Sequence, residues 1–386
     1  MILFWPRNLV NDTVPGIFLL IYVKNMPTTT GMKGGGYYDA NSSAQRAALN
    51  AFLPWIEESV AELHRSSVSP NSINLLDIGS SEGGNAIQVM DRLIKKIRGM
   101  SEIPIWVFFA DLPTNDFNHL FANLFPDGKA VLSSKNVYPG VIGGTAYNRL
   151  VPSQTLHIAT TFNTVGWLDK IPDARVPNHI LPMQPGPKAP REGVLITDIE
   201  SAPFRRQAAE DLYQFYISRA EELVSGGKLL VQVFGRNEFV STGDGIFDVL
   251  SDVILEFVDQ GIIQREVYEM LIFPLYYRTL DELLTPIKAD PRLSRVFRID
   301  QADSIEVTIP FNKTLEESGD LTQWARNYTG FIRAFTEAVL ASALPNDGQR
   351  PEILDKIYLQ AEKLLASNPA RYELHFISVA ALLTRS

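Results

Sequence analysis

The sequence predicts an α/β fold: a doubly wound, Rossmann-like parallel sheet with a mostly helical cap. Two runs carry most of that expectation. Asn74-Leu-Leu-Asp-Ile-Gly-Ser-Ser-Glu-Gly-Gly-Asn85 reads as a strand that ends in a glycine turn entering a helix. Trp106-Val-Phe-Phe-Ala-Asp-Leu-Pro-Thr-Asn-Asp-Phe-Asn118 reads as a second strand, stopping at Asp111. The pattern returns later, where a periodic helix is stopped by Ser225-Gly-Gly and an apolar strand follows at residues 228–234. Strand, crossover helix and parallel strand make the repeating unit of a doubly wound sheet, whose ligand crevice lies at the strands' carboxyl ends.

Taken in order, residues 1–30 read as an N-terminal extension. Its apolar run at residues 17–23 is far short of the roughly twenty residues that span a bilayer. Residues 1–25 are therefore expected to be dispensable, with Met26 or Met32 as a natural start of the domain. Asn41-Ser-Ser43 supplies helix N-cap candidates, and Leu49, Phe52, Ile56, Val60 and Leu63 then recur at helical spacing. Pro54 should kink or divide that helix, because it lacks an N–H and its ring clashes with the preceding turn. A polar loop leads to the strand at 73–78, and after the glycine turn Ile87, Met90, Ile94 and Ile97 form one helix face. Strands follow at 105–110 and 155–161. A helix over 211–224 carries Leu212, Phe215, Tyr216, Arg219 and Leu223 on neighbouring turns.

Two regions break the alternation. Residues 170–194 carry six prolines, and 236–290 look helical, with Phe247, Leu250, Ile254 and Phe257 in one stripe. Both read as a cap over the sheet's carboxyl edge, which leaves 31–169, 195–235 and 291–386 as the core. Helices at 322–342 and 350–366 and a strand at 374–383 close the chain.

Composition narrows the partners. A net charge of −9 without any basic run of five excludes nucleic acid as the main partner, since phosphate binding needs a clustered positive field. Zero cysteines exclude disulfides and thiolate metal sites and fit a cytoplasmic enzyme. No membrane partner is expected. A homodimer is the assembly considered.

The glycine spacing selects among nucleotide cofactors. A dinucleotide fingerprint needs G-x-G-x-x-G, so that the backbone can approach a pyrophosphate. Here the order is Gly79, Ser80, Ser81, Glu82, Gly83, Gly84. A carboxylate in that turn repels a pyrophosphate but is tolerable near the ammonium and sulfonium of S-adenosyl-L-methionine (SAM). The turn therefore favours a methyltransferase over an NAD oxidoreductase; taken alone, it also fits plain βα packing.

With these residues in place, the chain resembles the SABATH family of SAM-dependent methyltransferases from about Met32 to Arg385. Met32-Lys-Gly-Gly…Tyr38…Asn41-Ser-Ser…Gln45 is similar to the family's opening motif. Asp77-Ile-Gly-Ser-Ser-Glu-Gly-Gly-Asn85 is similar to its glycine turn, and Asp111-Leu-Pro-Thr-Asn-Asp-Phe-Asn118 to its most specific signature. Gly144-Thr-Ala-Tyr-Asn-Arg-Leu-Val-Pro152, Trp167-Leu-Asp-Lys-Ile-Pro172 and Gly226-Gly-Lys…Phe-Gly-Arg236 follow in the right order.

The resemblance implies a Rossmann-like methyltransferase sheet and a set of roles. Tyr38, Ser80, Asn85, Asp111, Leu112, Thr145 and Ala146 fall on cofactor-contacting positions, with Asp77 and Gly79 shaping the turn. Gln45 and Trp167 fall where acid-methylating members hold the substrate carboxylate, and Gln45 also borders the cofactor. Asn163 and Gly166 stand where the family has an aromatic and a bulky residue. Gly166 is expected to leave space and Asn163 to donate a hydrogen bond, so a polar or dicarboxylic acid is expected over an aromatic one such as salicylate. These departures suggest a relative outside the plant members. Lys33 faces either the substrate's anionic side or solvent. The segment that carries a magnesium site in some members is Phe273-Pro-Leu-Tyr276 here, with Ile272 in place of the expected asparagine, and no metal is expected.

The residues themselves suit that chemistry. A carboxylic acid with a pKa near 4 is already an anionic nucleophile at neutral pH, so no general base is needed. What remains is to orient it at near-attack distance with water excluded. The Gln45 amide and Trp167 indole N–H are neutral donors fitted to that task. Asp111 is expected to accept from ribose hydroxyls, whereas Asp77 either contacts the cofactor or braces the turn. The expected function is a SAM-dependent O-methyltransferase that forms the methyl ester of a small carboxylic acid. The alternatives are methylation of a heterocycle at nitrogen or phenolic oxygen, and a cofactor-binding protein without turnover.

Overall fold

The computed structural model describes residues 31–63, 71–128, 131–132, 134–183 and 195–386. The expected extension at 1–30 lies outside the described residues, as does 184–194 of the proline-rich stretch.

The first half of the chain runs α1 (Tyr37–Asn41), α2 (Ser43–Leu63), β1 (Ile73–Ile78), α3 (Gly84–Arg98), β2 (Ile105–Asp111), α4 (Phe117–Leu124), β3 (Val137–Gly143) and β4 (Leu156–Phe162). It continues with α5 (Asp198–Glu222), β5 (Leu223–Phe234), α6 (Ile246–Asp259), α7 (Arg265–Met270), α8 (Leu280–Ala289) and α9 (Pro291–Val296). The last elements are β6 (Phe297–Glu306), α10 (Pro310–Ser318), α11 (Leu321–Ala343), α12 (Arg350–Ser367) and β7 (Ile377–Arg385).

The strands form one sheet in the order β3-β2-β1-β4-β5-β7-β6. The first five are parallel to one another, while β7 runs antiparallel to both β5 and β6. The sheet is thus mixed rather than wholly parallel. The order reverses at β1, whose neighbours β2 and β4 diverge to opposite sides, and this is where an open α/β sheet presents its crevice. Both strands the sequence did not reveal, β3 and β6, are edge strands. Pro139 and Gly140 interrupt β3, and the apolar–charged alternation that opens β6 breaks at a register shift between Ile299 and Gln301, beyond which charged and polar residues dominate; both features blunt an edge and obscure the strand pattern.

Helices cover both faces. On one, Leu49, Phe52 and Ile56 of α2 and Met90, Ile94 and Ile97 of α3 pack over Leu75 and Val107. On the other, Leu212, Phe215 and Tyr216 of α5 pack over Leu76 and Val231. Helix α2 continues through Pro54 undivided. Helix α5 begins at Asp198 rather than 211, started by a capping box in which Thr197 and Glu200 bond each other's backbone N–H.

The helical layer over the carboxyl edge differs from the expected cap. The Phe247–Leu250–Ile254–Phe257 stripe of α6 packs with Tyr328, Phe331, Ile357 and Tyr358 of α11 and α12, so the layer draws on chain beyond 291. Helix α8 instead joins the sheet's α5 face, because Leu283, Leu284 and Ile287 bury against Leu212 and Tyr216 and the Tyr216 hydroxyl donates to the Leu283 carbonyl at 3.1 Å. Apolar periodicity announces these helices but does not say which face they cover. Among the described residues no helix is long and apolar enough to cross a membrane.

Candidate active site

The turn after β1 is built for close approach. Gly79 has a φ of 86°, and a Cβ there would lie 1.8 Å from Thr164 Oγ1. Only glycine lets the loops after β1 and β4 meet in this way. Beneath the turn, Asp77 is buried. Its Oδ1 accepts from Thr160 Oγ1 at 2.7 Å and its Oδ2 from Ser80 Oγ at 3.1 Å. Burial pushes its carboxyl up to about 6, against the lowering effect of those bonds. Asp77 and Ser80 therefore brace the turn from behind and do not border the cavity in front of it. Asn85, another expected cofactor contact, donates through Nδ2 to Ser42 Oγ at 3.1 Å and ties α3 to the junction of α1 and α2 instead. Glu82 is also turned away: its carboxylate accepts the backbone N–H groups of Gly36 and Asp39. It anchors the opening motif to the turn and does not face a bound group.

In front of the turn lies a cavity of about 930 Å³, counting its open mouth, between the carboxyl ends of the strands and the helical layer. Gly79, Asp111, Leu112, Thr145, Ala146 and Tyr38 border it, as expected, and so does Ser81, which was not expected. Asp111 sits at the end of β2. Its Oδ2 accepts from Ser81 N–H and its Oδ1 from Leu112 N–H, each at 2.7 Å. Burial pushes its carboxyl up to about 6, while these two bonds to the charged form lower it. Each oxygen keeps a second lone pair, which lets this fixed carboxylate accept from a pair of hydroxyls. The β3 loop is tied alongside by Gly144 N–H donating to the Asp111 carbonyl at 2.8 Å. Thr145 Oγ1 donates to Asp169 Oδ1 at 3.0 Å.

The other half of the cavity is aromatic. Phe234 and Tyr277 meet at 4.8 Å between ring centroids, and Phe331 and Phe335 of α11 with Phe376 complete the wall. Gln45 of α2, Asn163 and Trp167 stand among them. Trp167 follows a short 3-10 turn, Thr164–Gly166, and the Tyr147 hydroxyl donates to its carbonyl. Two expectations for this half are corrected. Gly166 leaves no space, because a Cβ there would lie 2.3 Å from the Phe234 ring, which already occupies the volume. The pocket is correspondingly not a polar one, since aromatic side chains form its wall. Lys33 is paired with Glu337 and lies 5.1 Å from the centre of the Tyr37 ring, away from the cavity.

Several wall residues had no signal in the sequence. Phe331, Phe335 and Phe376 lie far along the chain from every glycine motif, and aromatics at helical spacing look like ordinary core. Phe234 was visible as the end of a strand and within the Gly226…Arg236 block, with no role in the cavity assigned to it.

The donor set fits SAM. The Gln45 side-chain oxygen and the Ser81 hydroxyl are buried without a protein partner. Leaving a buried acceptor unmatched is costly, and a bound group carrying N–H or O–H would satisfy both. Beside the fixed Asp111 carboxylate, they suit the amino acid and ribose of an adenosyl cofactor.

Comparison with known proteins gives the same answer. The profile of the SAM-dependent carboxyl methyltransferase family matches residues 24–386. Indole-3-acetate O-methyltransferase 1 of Oryza sativa subsp. japonica is 24% identical, covering 94% of this chain and 94% of that protein. Probable jasmonic acid carboxyl methyltransferase 1 of Theobroma cacao is 25% identical over 91% of this chain and 96% of its own length. The solved structure of loganic acid methyltransferase with S-adenosylhomocysteine superposes with a TM-score of 0.73 at 22% identity, covering 92% of this chain and 98% of the other, and so shares the fold. With a profile match over nearly the whole chain and this crevice at the sheet's switch point, the chain belongs to the SAM-dependent carboxyl methyltransferases, the SABATH family.

Proposed function

We propose that this enzyme esterifies the carboxylate of a ring-bearing, largely apolar acid. The observation that carries the reading is the composition of the cavity wall: among the described residues that border it there is no lysine, arginine or histidine, and aromatic, aliphatic and small side chains, two neutral amides and two aspartates make it up. A nucleophile that must lose a proton during the reaction needs a base with a suitable pKa within reach. A carboxylate needs none. The Gln45 amide and the Trp167 indole orient one carboxylate oxygen without the strong charge-assisted bonds of an arginine fork, which would lower its nucleophilicity. Phe234, Tyr277, Phe331, Phe335 and Phe376 bury the acid's apolar body and exclude water. Asp111, Ser81, Thr145, Ala146 and Tyr38 would hold the cofactor. When bound, SAM supplies an electrophilic methyl group on a sulfonium, and transfer to the carboxylate oxygen leaves S-adenosylhomocysteine and a methyl ester.

The names of the relatives, indole-3-acetate and jasmonic acid methyltransferases, support a ring-bearing acid. In the same reading the enzyme works in the cytoplasm on dissolved acids, supported by a chain without cysteine. The experiment is a panel of aromatic, alicyclic and dicarboxylic acids assayed for S-adenosylhomocysteine release. Ring-bearing monoacids should lead it. Turnover only on a heterocycle lacking a carboxylate would overturn the reading in favour of nitrogen or phenolic oxygen methylation.

A further inference from the structure

Behind the cavity wall lies a buried amide relay that the chemistry above does not use. Gln232, at the carboxyl end of β5, is fully buried. Its Nε2 donates to Ser378 Oγ on β7 at 2.6 Å and to Asn163 Oδ1 at 3.2 Å. Its own Oε1 is buried without a partner. Asn163 follows β4 in a left-handed conformation, φ 63°, and lines the cavity four residues before Trp167. Outside glycine, asparagine is among the residues that tolerate this backbone best.

The direction of the relay follows from counting donors. If both amides were reversed, Gln232 Oε1 would accept from Ser378 and Asn163, and the Gln232 NH₂ would be buried with two donors unmatched. The observed direction leaves a single acceptor unmatched, and an under-satisfied carbonyl is better tolerated than an orphaned N–H. With Oδ1 held by Gln232, the end of the Asn163 amide left for the cavity is the NH₂.

We propose that Gln232 is a positioning residue that sets the polarity of Asn163, so that the cavity offers a third neutral donor beside Gln45 and Trp167. The site then selects acids that carry a hydrogen-bond acceptor next to the carboxylate, such as a 2-oxo group or an ortho ether. This inference rests on the carboxylate reading of the cavity, but its test does not require turnover.

The test is calorimetric binding of matched acids to the complex with S-adenosylhomocysteine. One pair is phenylpyruvate and 3-phenylpropanoate; the other is 2-methoxybenzoate and 2-ethylbenzoate. The wild type should bind the acceptor-bearing member about five- to tenfold more tightly in at least one pair, the worth of one neutral hydrogen bond. Gln232→Glu supplies an acceptor to Asn163, turns its oxygen towards the cavity and should reverse the preference. Asn163→Leu should bring the ratio to about one, and serves if the buried glutamate prevents folding. No preference in either pair, including no binding, would overturn the proposal, as would a ratio unchanged in both variants. Methyl transfer to the same acids is measured separately: a binding preference without ester would count against esterification alone, and ester without preference against the role of Gln232 alone.

Discussion

Phe234 occupies the place that a side chain at Gly166 would take: its Cε2 and Cζ lie 2.3 and 2.5 Å from where a Cβ on Gly166 would fall. The ring also borders the cavity and packs on Tyr277, so the glycine lets β5 deliver an aromatic wall to the cavity.

Gly166→Ala should therefore force the Phe234 ring aside. Overpacking of this kind costs about 1–3 kcal/mol, read as a lower Tm, and kcat/KM for the best acid should fall with it. Phe234→Leu made together with Gly166→Ala should recover most of the stability. An alanine variant that melts like the wild type would show that the ring is not fixed against Gly166.

Asp111 is held by two backbone donors and has lone pairs to spare. Asp111→Ala removes acceptors for two ribose hydroxyls. At about 1.5–3 kcal/mol per bond to a charged acceptor, with water compensating in part, the loss should be roughly 2–4 kcal/mol. Calorimetry with S-adenosylhomocysteine measures it, and unchanged affinity would remove Asp111 from the cofactor site.

Trp167→Phe keeps a ring but deletes the indole N–H, and Gln45→Ala deletes the amide. If both only orient an ionised carboxylate, each should lower kcat/KM by roughly ten- to a hundredfold. S-adenosylhomocysteine affinity should move much less for Trp167→Phe than for Asp111→Ala. At saturating cofactor, kcat should stay flat from about pH 6.5 to 9, because an acid with a pKa near 4 needs no base. A rise through an apparent pKa near 7 that vanishes on mutating a histidine would mean a different nucleophile.

Asp77 makes stability depend on pH in an unusual direction. Burial raises its folded pKa to about 6, so over roughly pH 4–6 the folded state keeps a proton that the unfolded chain has released. Its contribution is full below the unfolded pKa and is lost as pH rises through 6. His157, which burial lowers, acts oppositely near the same window, so the comparison must be with a variant. Urea unfolding of the ligand-free protein should show Asp77→Asn gaining on the wild type between pH 5 and pH 7, by on the order of 1–2 kcal/mol. A constant difference between the two pH values would mean that Asp77 is not protonated in this way.

Much of the cofactor half was legible in the sequence because its constraints are local. A glycine that must have positive φ, and an acid that must end a strand, leave their mark within a dozen residues, so Gly79, Asp111, Leu112 and the Thr145–Ala146 loop stand where their motifs put them. Four residues of those motifs, Asp77, Ser80, Glu82 and Asn85, share the spacing but point elsewhere. Spacing tells which residues are near a turn, not which side of it their side chains take.

The sequence by itself determined the α/β class and the strand–turn–helix units on both sides of the crevice, each resting on periodicity or on a short run whose backbone requirements exclude most residues. Gln45 and Trp167 were singled out by the family resemblance alone. Only the tertiary structure decided the aromatic wall of the cavity and the order of the sheet. Phe331, Phe335 and Phe376 are brought to Phe234 and Tyr277 by α12, which packs against both α6 and α11, and by the insertion of β7 between β5 and β6. Such contacts join residues 54 to 142 positions apart through shape alone. An aromatic carries no sequence mark that separates a side chain filling the core from one left facing a cavity.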